Sequence, residues 1–177
     1  KSEELLKDVD EMQYMLETYL DFSQTVSSEE NSIVNINEMI EEITETSKEK
    51  NKSIIFKSSS ENHINHKCKY IALKRCIINL VNNAKAYGDE IIISLSETNN
   101  NINIYIEDDG PGINEKDYEK ALKPFQRLDS SRNQNIAGSG LGLSISQDII
   151  KTLNGNLSLS KSIIGGLKVE IQLPKNF

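Results

Sequence analysis

The strongest constraint on this chain is a change of hydrophobic period. Ile91, Ile93 and Leu95 alternate with Ile92, Ser94 and Ser96; after Asn99-Asn100-Asn101, Ile102, Ile104 and Ile106 alternate with Asn103, Tyr105 and Glu107. Period two over both runs predicts an antiparallel hairpin with one apolar face and one mostly polar face. The apolar face needs a cover, and the flanking sequence supplies it. Lys69 to Tyr87 reads as a strong helix with Ile71, Ile77, Ile78, Leu80, Val81 and Ala84 inward and Gly88 as its stop. Leu141 to Leu153 reads as a second helix, ending at Asn154-Gly155, and Asn37 can cap a third that runs to about Lys50 with Ile40 and Ile43 inward. Leu157/Leu159 and Val169/Ile171/Leu173 form a last hairpin around Gly165-Gly166; Ser53 to Lys57 is a short strand, and another is expected through Ile64. The expected class is α+β: a two-layer α/β sandwich whose mixed sheet is covered on one face by about three helices, preceded by one long helix.

That long helix is Lys1 to Gln24, which has no Gly or Pro and places Leu5, Val9, Met12, Leu16 and Tyr19 on an a/d seam. Leu6, Met15, Leu20 and Phe22 widen the stripe as bundle helices do, so a partner helix is expected; a plain amphipathic surface helix is the other reading. Thr25 to Ser32, rich in Ser, Glu and Asn, reads as a linker, which leaves 33–177 as the main domain.

Composition narrows the function. With 20 Lys+Arg against 27 Asp+Glu the net charge is −7, and the pI near 5.0 argues against nucleic-acid binding, which needs a basic face. No apolar run approaches the roughly 20 residues that cross a bilayer; Ile91 to Ile93 reads as a strand core. A start at Lys1 without Met is what a fragment of a longer protein would show. Cys68 and Cys76 make no disulfide framework and are expected as free thiols. His63 and His66 read as surface histidines; with Cys68 they match no zinc spacing.

Chemistry concentrates elsewhere. Asp109 to Ser139 lacks regular pattern and lies between two glycine clusters, Asp108-Asp109-Gly110-Pro111-Gly112 and Gly138-Ser139-Gly140-Leu141-Gly142. A loop that long inside a compact domain is expected as a functional lid. No Gly-Lys-Ser/Thr follows, so this is not a P-loop; the spacing also fails the dinucleotide fingerprint. Glycines opening a helix nevertheless make a phosphate cradle. Asn79, Asn82 and Asn83 sit within a helix, where Asn has poor propensity, and Asn79 and Asn83 share a face. They are either a pair of buried amides satisfied by neighbours or oxygen ligands for Mg²⁺.

Asn79-Leu80-Val81-Asn82-Asn83-Ala84, Asp108-x-Gly110-x-Gly112, Lys123-Pro124-Phe125-Gln126-Arg127 and Gly138-x-Gly140-x-Gly142-Leu143 resemble, in order and spacing, the N, G1, F and G2 boxes of the sensor histidine kinases of two-component systems. Tyr87-Gly88 and the run Glu107 to Ile113 add to the likeness. The resemblance implies a histidine-kinase/gyrase-type ATPase fold, with residues 1–24 as the second helix of the dimerisation and histidine-phosphotransfer hairpin and 33–177 as the catalytic ATP-binding domain. By the same resemblance, Asp108 accepts a hydrogen bond from the adenine amino group, Gly110 and Gly112 let backbone approach the base, and Tyr87 packs on the ring. Asn83 ligates Mg²⁺ with Asn79 beside it. Gly138, Gly140 and Gly142 line the triphosphate, Arg127 neutralises the γ-phosphate, and Lys85, Ile113 and Leu141 complete the ATP-contacting set. Ala86 stands where relatives often carry Lys or Arg, leaving Lys85 as the nearest cation, and Leu122 stands where many have Phe.

The implied activity is transfer of the γ-phosphoryl of Mg-ATP to a histidine on a helix absent from this chain, within a homodimer that signals to a cognate response regulator. The parent would be an inner-membrane sensor, touching the membrane only through regions missing here, with this portion cytoplasmic. One alternative is an ATP-hydrolysing relative of the gyrase and mismatch-repair class. Those carry a Glu where this chain has Asn79, and an amide cannot take water's proton. A degenerate module that only dimerises is the other.

Overall fold

The computed structural model describes residues 28–59, 63–124, 126 and 141–175, together with Gln13 and Leu20, both in helical backbone. The rest of the Lys1 to Gln24 helix expected from the sequence lies outside the described residues. In chain order the elements are β1 (Ser32–Asn35), α1 (Ile36–Thr46), β2 (Ser53–Ser58), β3 (Asn65–Cys68), α2 (Tyr70–Tyr87), β4 (Glu90–Glu97) and β5 (Asn101–Asp108). A 3-10 turn (Glu115–Asp117), α3 (Tyr118–Ala121), α4 (Gly142–Thr152), β6 (Asn156–Lys161) and β7 (Leu167–Pro174) follow.

The two alternating runs pair in antiparallel register, Ile93 opposite Ile106 and Leu95 opposite Ile104. They lie inside a five-stranded sheet of order β2-β4-β5-β7-β6. Only β2 and β4 are parallel, joined by a crossover that contains α2. β7 extends the apolar face in register, setting Ile171 opposite Ile104 and Val169 opposite Ile106. α1, α2 and α4 bury Ile36, Ile40, Ile43, Leu73, Ile77, Leu80, Ile145 and Ile149 in one core with these strands. The two-layer α+β expectation is met. No helix among the described residues is long and apolar enough to cross a membrane.

Several local expectations are corrected. α1 is capped by Asn35, whose Oδ1 accepts from the Glu38 N–H at 3.4 Å, and ends at Thr46. Asn37 is instead a buried staple. Its amide donates to Ser58 Oγ at 3.1 Å and accepts from the Ile64 N–H at 2.8 Å, tying α1 to the end of β2 and the approach to β3. β3 starts one residue after Ile64 and pairs with β1 rather than joining the main sheet. Its alternation turns His66 inward, 5 % exposed, so only His63 is a surface histidine; burial pushes the His66 imidazole below its usual pKa. Ile71 is 53 % exposed and Ile78 only partly buried, because the inward stripe of α2 runs through Ala72, Leu73, Cys76, Ile77, Leu80, Val81 and Ala84. Within the expected lid, residues 115–121 form short helical turns.

Cys68 and Cys76 are buried free thiols, and burial pushes both up to about 12. Neither should react with a thiol reagent at neutral pH until the chain is unfolded in urea, when both should be counted by absorbance. Ile104 is fully buried at the centre of the sheet. Ile104→Ala should cost about 2–5 kcal/mol in urea unfolding.

Candidate functional site

The site is organised around Asp108, the last residue of β5. Alternation along β5 points it to the same side as Ile104 and Ile106, and it is 4 % exposed. Its Oδ1 accepts from the Gly110 N–H at 2.9 Å and the Leu167 N–H at 3.2 Å; its main-chain carbonyl accepts from the Gly166 N–H at 2.9 Å. Neither side-chain bond uses Oδ2, which leaves that acceptor oxygen for an incoming donor. Burial pushes the Asp108 carboxyl above its usual pKa, opposed by the two backbone donors. The adjacent Asp109 behaves oppositely. It is exposed and its Oδ1 accepts from the N–H groups of Glu90 and Asp89, at 3.0 and 2.8 Å, which lower its pKa.

Three glycines let backbone close around this pair. A Cβ on Gly110 would lie 2.6 Å from the Tyr87 carbonyl oxygen, and one on Gly166 would lie 2.1 Å from Asp108 Oδ1. One on Gly88 would lie 2.7 Å from Asp109 Oδ1. Gly112 adopts φ +69, which favours glycine. The end of α2, the turn after β5 and the β6–β7 turn therefore meet at one point.

From that point a stripe runs back along α2. Tyr87, Asn83 and Asn79 are spaced by four and share a face, spanning about 12 Å at the helical rise. Tyr87 is 43 % exposed, while Asn79 and Asn83 are partly buried. Neither asparagine amide has a hydrogen bond to another described residue. The reading of a satisfied buried pair is not met, and both amide oxygens are available. Among the described residues no three His, Cys, Asp or Glu side chains stand together as a metal site. An oxygen-loving ion with phosphate co-ligands fits such amides.

Lys85 is not brought to this stripe. It lies two residues beyond Asn83, on the other side of the helix, and its ammonium pairs with Glu49 Oε1 at 2.5 Å. The end of α2 is held by Lys52, whose ammonium donates to the carbonyls of Lys85 and Gly88, the latter at 2.8 Å.

Leu141 and Gly142 open α4. Leu141 is buried in the core, and the Ser144 hydroxyl donates back to its carbonyl at 3.0 Å. Its N-cap residue Leu141 supplies no side-chain cap, and no acid stands in its first turn. A Cβ on Gly142 would meet nothing within 4 Å among the described residues. Ile113 packs its partly buried side chain on the core beyond Gly112. Arg127, Gly138 and Gly140 lie outside the described residues.

Sequence reasoning missed Gly166, the Leu167 N–H, Asp109 and Lys52. Gly165-Gly166 was legible only as a turn; nothing in one sequence says that a turn 58 residues downstream of Asp108 lands on it.

The model of the histidine kinase-, DNA gyrase B- and HSP90-like ATPase family matches residues 68–176, and the chain belongs to that family. It is 42 % identical over 107 residues to the sensor histidine kinase GtrS of Pseudomonas aeruginosa, covering 60 % of this chain and 22 % of that protein. It is 36 % identical over 104 residues to the sensor histidine kinase CpxA of Escherichia coli, covering 58 % and 23 %. The chain thus spans under a quarter of the length of the curated relatives it matches. Among solved structures, the histidine kinase domain of the E. coli osmosensor EnvZ aligns with TM-score 0.62 and 33 % identity, covering 84 % of this chain and 89 % of that one. The catalytic domain of the histidine kinase ThkA, in a nucleotide-free form, aligns with TM-score 0.70 and 27 % identity over 82 % and 97 %.

The two glycine environments predict opposite outcomes. Gly166→Ala drives a methyl into the Asp108 carboxylate and should lose roughly 1–3 kcal/mol of stability. Gly142→Ala meets no described residue and should stay within about 0.5 kcal/mol of the parent. Urea unfolding of both variants checks the contrast.

Proposed function

We propose that this chain is the ATP-binding catalytic part of a sensor histidine kinase, binding Mg-ATP for transfer of its γ-phosphoryl to a histidine outside these 177 residues. The observation that carries the reading is the one-sided satisfaction of Asp108. Backbone N–H groups hold Oδ1 and leave Oδ2, an acceptor matched to the amino group of adenine and mismatched to the carbonyl of guanine. Tyr87 flanks the base, Gly110 and Gly112 admit it, and Ile113 borders it. The stripe from Tyr87 to Asn83 then leads from base to phosphates. Mg²⁺ held by the Asn83 amide oxygen, with Asn79 beside it, would offset phosphate charge. The uncapped start of α4 at Leu141 and Gly142 offers N–H groups to the phosphate chain, with Gly138 and Gly140 preceding it. Arg127 neutralises the γ-phosphate, and Lys85, paired with Glu49, acts on α2 rather than on phosphate.

Asn79 favours transfer over hydrolysis, because it cannot serve as a base for water. Residues 1–24 serve as the second helix of the dimerisation hairpin, 25–32 as linker and 33–177 as the ATP domain. In the parent this portion is cytoplasmic, dimerises through the hairpin and signals to a response regulator.

Calorimetric titration tests the reading. Asp108→Asn should weaken ATP at least tenfold, because removing a charge-assisted bond costs about 1.5–3 kcal/mol. Asn83→Ala should remove the Mg²⁺ enhancement while the unfolding midpoint holds. Equal ATP affinity in Asp108→Asn would overturn the adenine contact. With γ-labelled ATP the chain alone should stay unlabelled, and an added hairpin bearing the acceptor histidine should take up label.

Acidification supplies a further check. Because the Asp108 carboxyl titrates above its usual 3.8, ATP affinity should begin to fall above the ordinary aspartate range. That same shift means folding favours protonated Asp108, so its contribution to stability grows as pH falls. Asp109, shifted downward, contributes above its unfolded value of 3.8, and that contribution is lost only as pH drops through its lower folded value. Binding should therefore weaken while the fold persists, and titrations across pH beside circular dichroism show both.

A further inference from the structure

The last two residues of β5 hold the β6–β7 turn from opposite faces of the sheet. On the helix-covered face, Asp108 receives the N–H groups of Gly166 and Leu167. On the other face, Glu107 is 7 % exposed. Its Oε2 accepts from the hydroxyl of Ser162 at 2.9 Å and from the Ile163 N–H at 3.4 Å; its Oε1 lies 3.8 Å from the Lys168 ammonium. Ser162 is itself 4 % exposed and central to the turn. Its hydroxyl also accepts from the Ile164 N–H at 3.2 Å, its N–H donates to the Gly166 carbonyl at 2.9 Å, and its carbonyl accepts from the Gly165 N–H at 3.3 Å. Lys168 is held twice, lying 4.3 Å from the Tyr105 ring centroid and pairing in register with Glu107.

Two buried polar side chains are thus spent on a turn whose tip, Ile163, is 90 % exposed. A buried carboxylate is a costly way to fix a surface turn. What the turn delivers is the placement of the Gly166 and Leu167 N–H groups. The Leu167 N–H decides which way the Asp108 carboxylate faces: while it and Gly110 occupy Oδ1, Oδ2 is presented to a ligand.

Resting on the nucleotide reading above, we propose that Glu107 and Ser162 are positioning residues for adenine recognition, acting through the β6–β7 turn on the orientation of Asp108. They touch no ligand. When the Ser162–Glu107 link is cut, the turn loosens, the Leu167 N–H leaves Oδ1, and the carboxylate is no longer fixed with one oxygen free.

A double-mutant cycle on the full 177-residue chain tests this, with ATP affinity by calorimetry, the urea midpoint as a folding control, and the Gly110 and Leu167 amide signals by NMR. Ser162→Ala should weaken ATP roughly fivefold, the worth of one neutral hydrogen bond. It should shift both amide signals, and Ser162→Thr should recover most of the affinity. In an Asp108→Asn background, Ser162→Ala should add nothing, because its effect runs through that carboxylate. If Ser162→Ala does not fold, Glu107→Gln takes its place in the cycle. Unchanged affinity in Ser162→Ala, with Asp108→Asn still weakened, overturns the positioning role and leaves the nucleotide site standing. An equal loss in both backgrounds also overturns it, as a structural effect only. Undiminished ATP binding by Asp108→Asn removes the nucleotide reading, and the positioning role with it.

Discussion

A buried carboxylate with one satisfied oxygen is the constraint on which the rest of this structure depends. Burying Asp108 is unfavourable unless donors meet it. The chain meets it with backbone N–H groups, from the turn directly after β5 and from the β6–β7 turn. Backbone donors approach closely only where no Cβ intervenes, which is why Gly110 and Gly166 stand there. The same convergence brings the end of α2 against Gly110, so the asparagine stripe starts where the carboxylate sits. Electrostatic need, glycine placement and helix docking are three aspects of one junction.

The sheet makes the junction rigid. β5 and β7 are central strands, paired on both sides, and their apolar face is covered by three helices. Asp108 and Leu167 therefore belong to a frame that resists local opening, since releasing either means unpairing central strands. The opposite face is polar along β5 and β7, with Glu107 and Lys168 ion-paired across them. It thus carries the contacts that hold the β6–β7 turn without competing for core volume.

Much of this was legible. Alternation at Ile91–Leu95 and Ile102–Ile106 revealed the hairpin because a half-buried strand prints its two faces on the sequence. Asp108, Gly110 and Gly112 were legible as a motif because they fall at alternate positions of one short stretch. Asn79 and Asn83 were legible because amides four apart inside a helix contradict local propensity. The failures are of another kind. His66 passed for a surface residue because four residues of β3 carry too little pattern to assign a face. Asn37 passed for a cap because Asn serves equally as cap or staple, and only the positions of Ser58 and Ile64 separate the two. Lys85 passed for a phosphate contact because proximity along the chain to Asn83 hid their opposite placement around α2.

The sequence by itself determined the three core helices, the faces that β4, β5 and β7 bury, the membership of Asp108 in a glycine turn, and the asparagine stripe. All of these depend on neighbours within a turn or two of chain, where periodicity and propensity act. Only the tertiary structure decided which oxygen of Asp108 is free, that Gly166 closes on it, that Lys85 is occupied by Glu49, and that Glu107 reaches across to Ser162. Those outcomes depend on strand order: β7 must lie beside β5, and β2 beside β4, before residues far apart in the chain can meet. Pairing order is set by the packing of whole faces against helices, a sum over the entire core that no local window contains.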